Sequence, residues 1–261
     1  METKNIIKTT IICLVATLAF VSCGVFSFMG KNGSVVGETK SYEYGEDFSP
    51  KSLTLEINAA EIRIEQGEKF LITSNLKYLE VTESEGSVVA KEQGNSSGRD
   101  SNGAFFTLCL PEGVSLDNLT VKIGAAAFHA DSLSAGRVEI NVGAGSLTVE
   151  SLVATESAKI EGGAGKITVG AGSLKELEAT IGAGELTLTS EIVGSGELDL
   201  GVGKATLNLL GDPEGYTVEM KKGIGSITFN GKSIDGNRTV GIGDTEVEIN
   251  GGIGSIIVNT D

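Results

Sequence analysis

The sequence predicts an all-β chain wound as a single-domain β-solenoid with coils of about twenty residues. Three observations in its 261 residues carry that reading. A Gly-x-Gly-x-apolar-Thr-apolar segment recurs, a run of strict apolar/polar alternation precedes most copies, and no helical period is visible beyond the first thirty residues. The segment begins at Gly143, Gly163, Gly182, Gly201, Gly223 and Gly252, in steps of 20, 19, 19, 22 and 29 residues. A fixed period of this size signals stacked structural units, each burying its apolar face only against its neighbours.

Each unit divides into strand, glycine corner, strand and return. The alternating runs Val138–Val142, Leu177–Ile181, Leu198–Leu200, Tyr216–Met220 and Val247–Ile249 have the period of a half-buried strand. The glycines suit a corner because they accept positive φ and have no side chain to crowd the next coil. Stacking in chain order would place each strand about 4.8 Å from its predecessor. The outward Thr148, Thr168, Thr187, Thr206 and Thr228 then form a ladder. Lys166, Glu185 and Lys204 alternate in charge beside it, and such cross-strand pairs contribute roughly 0.2–1 kcal/mol each. The inward rank, Leu147, Ile167, Leu186, Ala205, Ile227 and Ile256, makes a narrow aliphatic core.

Toward the N-terminus the repeat fades. Gly124–Ala130 fits with one glycine lost, and Asn58–Ile64, preceded by Leu53–Ile57, with both lost. Asn58 is expected at a left-handed corner, where asparagine substitutes for glycine most readily. Short strands are expected near Phe70–Thr73, Leu79–Thr82, Gly86–Ala90 and Ala104–Leu110. Glu92–Gly103, rich in Asn, Ser and Gly, reads as a surface loop. These irregular N-terminal coils are expected to cap the stack.

Residues 1–30 form a separate segment. Lys4 and Lys8 precede an uncharged run from Thr9 to Gly30, long enough to span a bilayer, with the N-terminus inside and the solenoid outside. Phe20-Val21-Ser22-Cys23-Gly24 resembles a lipobox, which would make Cys23 a lipidation site. Phe20 replaces its usual leucine, and Val25–Met29 stays apolar. An uncleaved anchor is preferred to a lipid anchor, with simple secretion third. All three place the domain outside the cytoplasm, at the cell membrane in the first two. Residues 31–50 read as a juxtamembrane linker and 51–261 as the solenoid domain.

The formal charge of −15 argues against nucleic acid and anionic membrane surfaces as partners. Contact with the membrane is expected through the N-terminal segment only. Cys109 is the one cysteine of the domain, so no disulfide within it can form. Gly162–Lys166 begins like a calcium-binding nonapeptide, but Ile167 stands where an aspartate ligand is required. Gly231-Lys232-Ser233 lacks the first glycine of a phosphate loop, and no Gly-x-Gly-x-x-Gly is present. A single histidine, His129, cannot build a multi-histidine metal site. The outward Glu139, Glu161, Glu178, Asp199 and Glu219 are scattered in sequence, and no pair stands out for acid–base work. No catalytic, cofactor-binding or metal-binding residue is assigned.

The repeated Gly-Ala/Val/Ile-Gly-x-Ile/Leu-Thr-Val units resemble the DUF4097 family of proposed adhesins, above all in Gly223–Lys232 and Val247–Ile256. That resemblance spans about Leu53 to Val258. It implies a β-helical domain on a bacterial cell surface behind an N-terminal membrane segment, with no known active site. The expected function is non-enzymatic display of a surface for adhesion or interaction with a surface protein or glycan. A β-helix carbohydrate-active enzyme and an accessory sensor of envelope stress are the alternatives.

Overall fold

The computed structural model describes residues 33–45, 48–94 and 100–260. The Thr9–Gly30 run and Cys23 lie outside them. Among the described residues, no helix is long and apolar enough to cross a membrane.

Among the described residues, seventeen strands pair into one continuous wound sheet. The N-terminal part holds β1 (Val36–Glu43), β2 (Ser52–Ile57), β3 (Glu61–Gly67), β4 (Leu71–Leu76), β5 (Leu79–Ser84), β6 (Ser87–Glu92) and β7 (Phe105–Pro111). The regular middle is built from β8 (Leu116–Ile123), β9 (Ala127–Val142), β10 (Ser146–Gly162), β11 (Lys166–Val169) and β12 (Gly172–Leu209). The C-terminal part holds β13 (Tyr216–Lys221), β14 (Ile224–Phe229), β15 (Lys232–Ile234), β16 (Arg238–Gly241) and β17 (Thr245–Thr260).

The middle coils follow the predicted pattern and add to it. Parallel pairing joins Val138, Ala158 and Leu177 in a ladder before the glycine corner. Leu147, Ile167 and Leu186 are joined in a second ladder after it. The return is also strand: Leu133, Leu152 and Gly172 align in a third ladder. Inward side chains of all three ladders meet in one buried core. Its aliphatic members are almost fully withdrawn from water, and each Leu or Ile contributes about 1.5–3 kcal/mol by that burial. The phenylalanines Phe70, Phe106 and Phe128 lie toward the N-terminal end of that core, and Tyr216 lies toward the C-terminal end.

The corner glycines are set chiefly by crowding. A Cβ on Gly143 would lie 2.7 Å from the Gly124 carbonyl oxygen, and one on Gly165 would lie 2.3 Å from that of Gly145. Gly203 adds a second requirement, since its φ is +141°. Asn58 departs from expectation, because it is not among the positive-φ residues of the chain. At its level the outer neighbour is the end of β6, and its N–H donates to Glu92 Oε2 at 2.8 Å. A side-chain carboxylate thus meets the Asn58 N–H, where backbone carbonyls meet those of Gly143 and Gly163.

Chain order and stacking order part company at both ends. The last coil, β17, pairs in parallel with the 195–209 part of β12 on one side and with β13 and β14 on the other. The coil of residues 216–229 is thus outermost although it comes earlier in the chain. The threonine ladder is corrected accordingly: Ile257 stands between Thr206 and Thr228. The N-terminal end mirrors this. β2 sits between β6 and β8, and β3 between β7 and β9, so the later β6–β7 coil is the outer one.

Both crossings have visible hinges. After Leu209 the chain makes a 3-10 turn at Pro213–Gly215, capped by Asp212. Buried Tyr216 then donates its hydroxyl to the Leu210 carbonyl at 2.6 Å and accepts from the Ile192 N–H at 3.1 Å. Burial raises the Tyr216 pKa. At the other end, a tight turn with positive φ at Glu85 and Gly86 joins β5 to β6.

Antiparallel strands close the stack. β15 covers β14 and β16 covers β13, so residues 230–244, between the last two glycine corners, carry the C-terminal cap. At the N-terminal end β4 covers β7, β5 covers β6, and β1 covers β4 in turn. β1 lies within the 31–50 segment, and Tyr44 and Phe48 pack on Phe70 with ring centroids 5.0 and 5.3 Å away. Such caps are what a stack with open edges requires.

Candidate interaction surface

Two solvent-facing ranks are built by the register of the ladders. On the second ladder, the rank runs Ser41, Thr73, Thr107, Arg63, His129, Thr148, Thr168 and Thr187. It resumes at Thr206, Ile257, Thr228 and Ser233. At about 4.8 Å per strand the rank is roughly 50 Å long. His129 occupies it too, and its Nε2 lies 3.4 Å from Asp131 Oδ1. Lys166 and Glu185, predicted to be stacked opposites, are 3.4 Å apart. Beyond the threonines, Asn208 donates to Thr189 Oγ1 at 3.0 Å and accepts from Asn259 Nδ2 at 2.8 Å.

The first ladder gathers acids that are far apart in sequence. Thr120, Glu139, Lys159 and Glu178 align, as do Glu197, Glu248 and Glu219 further along. The sequence pattern left these carboxylates scattered; the stacking brings them together, and lysines lie among them. Lys122 reaches Glu139 at 3.5 Å, and Lys159 reaches Glu161 and Glu178 at 3.1 and 3.4 Å. Lys221 bonds Glu248 at 2.5 Å and lies 3.7 Å from Glu219. Hydrogen bonds to Glu161 and then Glu178 hold the Lys159 ammonium above the usual lysine range, and Glu248 does the same for Lys221. The Lys221 hydrogen bond in turn holds Glu248 below the usual carboxylate range.

These carboxylates are exposed, with side-chain exposures of 40–57 %. A general acid instead needs a carboxyl kept protonated by an apolar setting. The arrangement is a charged, hydrated face in which Lys122, Lys159 and Lys221 stand among the carboxylates. Among the described residues no group of three or more His, Cys, Asp or Glu could hold a metal ion.

A groove of about 790 Å³ follows the corner on the first-ladder side. Its floor is Gly124, Gly143, Gly163 and Gly182, and Lys91, Lys122, Glu92 and Glu161 stand along it. Buried Glu92 closes one end through its bond to Asn58. Sequence reasoning missed this groove, because it needs β6 beside β2, a pairing no local pattern announces. Cys109 lies half-buried in β7, its Sγ filling the space where a Cβ on Gly67 would stand.

The DUF4097 (Toastrack) profile matches residues 60–250. No curated protein matches. Among solved structures, one described as a candidate adhesin from Bacteroides fragilis NCTC 9343 is 13 % identical, with a TM-score of 0.46. That match covers 88 % of this chain and 100 % of its own. A candidate cell adhesion protein from Clostridium sporogenes ATCC 15579 is 15 % identical with a TM-score of 0.34, covering 86 % and 99 % respectively. A candidate lipid binding protein from Parabacteroides distasonis ATCC 8503 is 13 % identical with a TM-score of 0.29, covering 88 % and 98 %. At these values the structural likenesses carry no argument about function. The profile match spans most of the chain, and the chain belongs to the DUF4097 (Toastrack) family.

Proposed function

We propose that the protein is a non-enzymatic, cell-envelope-anchored β-solenoid whose outer faces serve adhesion or protein interaction. The observation that carries this reading is the long, regular, solvent-facing pair of ranks, in which polar groups repeat at the strand spacing and lysines stand among the carboxylates. Such a face offers many weak, evenly spaced contacts, which suits an extended glycan or a surface protein. The N-terminal apolar run supplies the anchor, with Cys23 as its alternative lipid attachment point.

The test is binding of the purified full-length chain, in detergent, to a glycan panel and to whole cells, with release of reducing ends followed in parallel. The reading expects saturable binding that weakens when Lys122 and Lys159 are changed to Glu, and no turnover. Turnover abolished by changing one surface carboxylate to its amide would instead establish the β-helix enzyme. Fractionation settles the anchor. Retention of Cys23→Ala in membranes supports the uncleaved span, and its release into the medium supports the lipid anchor.

A further inference from the structure

The tip of each glycine corner is the residue between the two glycines. Along the stack it reads Ala125, Ala144, Ala164 and Ala183, then Val202, Ile253 and Ile224. The last three are among the most exposed large apolar residues described: 50 %, 52 % and 74 % of their surface meets water. Alanine serves the corner at the other levels, so the fold does not demand these larger side chains. Isolated exposed apolar residues are ordinary, but a contiguous row marks a contact surface.

We infer that this row is a self-association surface, and that its occupant is the same row of a second copy of the chain, related by a two-fold axis parallel to the stack. Charge complementarity selects the second copy. Such an axis lays the first-ladder flank of one chain beside the second-ladder flank of the other at the same level. Asp199 precedes the tip Val202 on the first flank and Lys204 follows it on the second, so the contact pairs Asp199 with the partner's Lys204 twice. The neighbouring levels place Glu161 opposite the partner's Lys166, Thr180 opposite the partner's Glu185, Asn250 opposite the partner's Ser255 and Lys221 opposite the partner's Ser226. No level from Glu161 to Lys221 sets like charges against each other. Contacts of this type are self-complementary, as a closed two-fold interface requires.

The parallel arrangement also keeps both N-termini at one end, so two chains anchored in one membrane can adopt it. Shared attachment to one membrane rests on the anchored reading. Confinement to one membrane raises the effective concentration, which lets a small apolar contact suffice. At physiological salt the Debye length of about 8 Å screens the mutual repulsion of two acidic chains beyond the contact itself.

The experiment uses the full-length chain in cells, with single cysteines introduced as Val202→Cys or Ile224→Cys and mild oxidation before non-reducing electrophoresis. The chain with its native cysteines sets the background, and Thr187→Cys, on the face beside the corner, is the control. Each tip variant should cross-link to itself at least tenfold above both. Adding Asp199→Lys should return Val202→Cys to background, and adding Lys204→Asp as well should restore it. Tip variants no better than the control overturn the proposal. So does cross-linking only between Val202→Cys and Ile224→Cys in mixed samples, which would mean antiparallel pairing. Membrane and medium fractions are read from the same samples, so failed anchoring and failed pairing give different results.

Discussion

The middle coils and the end coils of this solenoid solve the same packing problem by different routes. In the middle, residues 127–188 climb one level per repeat, and each inward side chain rests on its counterpart about twenty residues away. At the C-terminal end the chain overshoots, lays down an outer coil, and then returns to fill the level it skipped; at the N-terminal end it adds the outer β6–β7 coil after β2–β3 and then crosses to the other side of them. Sequential strands usually neighbour one another. The exception has a physical consequence: strand β17 is held between two coils and is paired along both edges. The outermost level is then a mid-chain segment that can fold over itself as the antiparallel strands β15 and β16. The comparison teaches that a perfect repeat fixes the cross-section of a solenoid without fixing the order of its levels.

The largest expected effect lies in the middle. Ile167→Asp places a carboxylate where the native side chain is 1 % exposed, between Leu147 and Leu186. Burying an unpaired charge there costs several kcal/mol, so the melting temperature should fall by roughly 10 °C or more. Thr168→Asp, on the solvent rank, should shift it by no more than about 2 °C. Ile234→Asp, buried in the C-terminal cap, should fall between, because only the cap strands are released. Equal shifts for the two substitutions at 167 and 168, measured by circular dichroism, would overturn the inside/outside assignment.

A smaller effect separates the corners. Gly165→Ala sets a methyl against the Gly145 carbonyl and should cost about 1–3 kcal/mol in urea unfolding. Asn58→Ala keeps its backbone bond to Glu92 and should cost no more than about 0.5 kcal/mol. The reverse ranking would show that left-handed geometry, and not crowding, selects the corner residue.

The smallest effect is electrostatic. Glu248, its pKa lowered by Lys221, contributes stability above the ordinary carboxylate pKa that is lost as pH falls through its depressed value. Lys221, its pKa raised, contributes below the ordinary lysine pKa and loses that contribution as pH rises through its elevated one. Lys221→Gln should therefore raise the Glu248 carboxyl toward the ordinary carboxylate range, read by carbon chemical shift, with little change in melting at neutral pH. An unmoved Glu248 titration would contradict the pairing.

Much of this was legible in the chain. The Gly-x-Gly spacing and the alternation around Leu147, Ile167 and Leu186 specify coil, corner and inside rank, because those signals are local. The short strands near Phe70, Leu79, Gly86 and Ala104 were also readable, with starts within one residue and ends within one to three. What was hidden depends on contacts distant in sequence. The third ladder around Leu133 and Leu152 lacks glycine punctuation. The strand β1 carries exposed Glu38, Thr39 and Lys40 and no core pattern. The 29-residue step from Gly223 to Gly252 signalled an insertion without saying where the chain went. The charged face emerged only once Glu139, Lys159 and Glu178 were stacked.

The rethreading of the last coil is the claim most open to direct test. Thr206 and Ile257 are register partners on adjacent parallel strands, as are Ile257 and Thr228, so Thr206 and Thr228 stand two strand spacings apart. Adjacent parallel strands bring Cα atoms to about 4.8 Å, within disulfide range, whereas two spacings, about 9.6 Å, lie beyond it. Oxidation of the Thr206→Cys/Ile257→Cys variant should give a quantitative intrachain disulfide, and Thr206→Cys/Thr228→Cys should give none. A disulfide in the second variant and its absence in the first would mean that the coils stack in chain order, contradicting the inserted last coil.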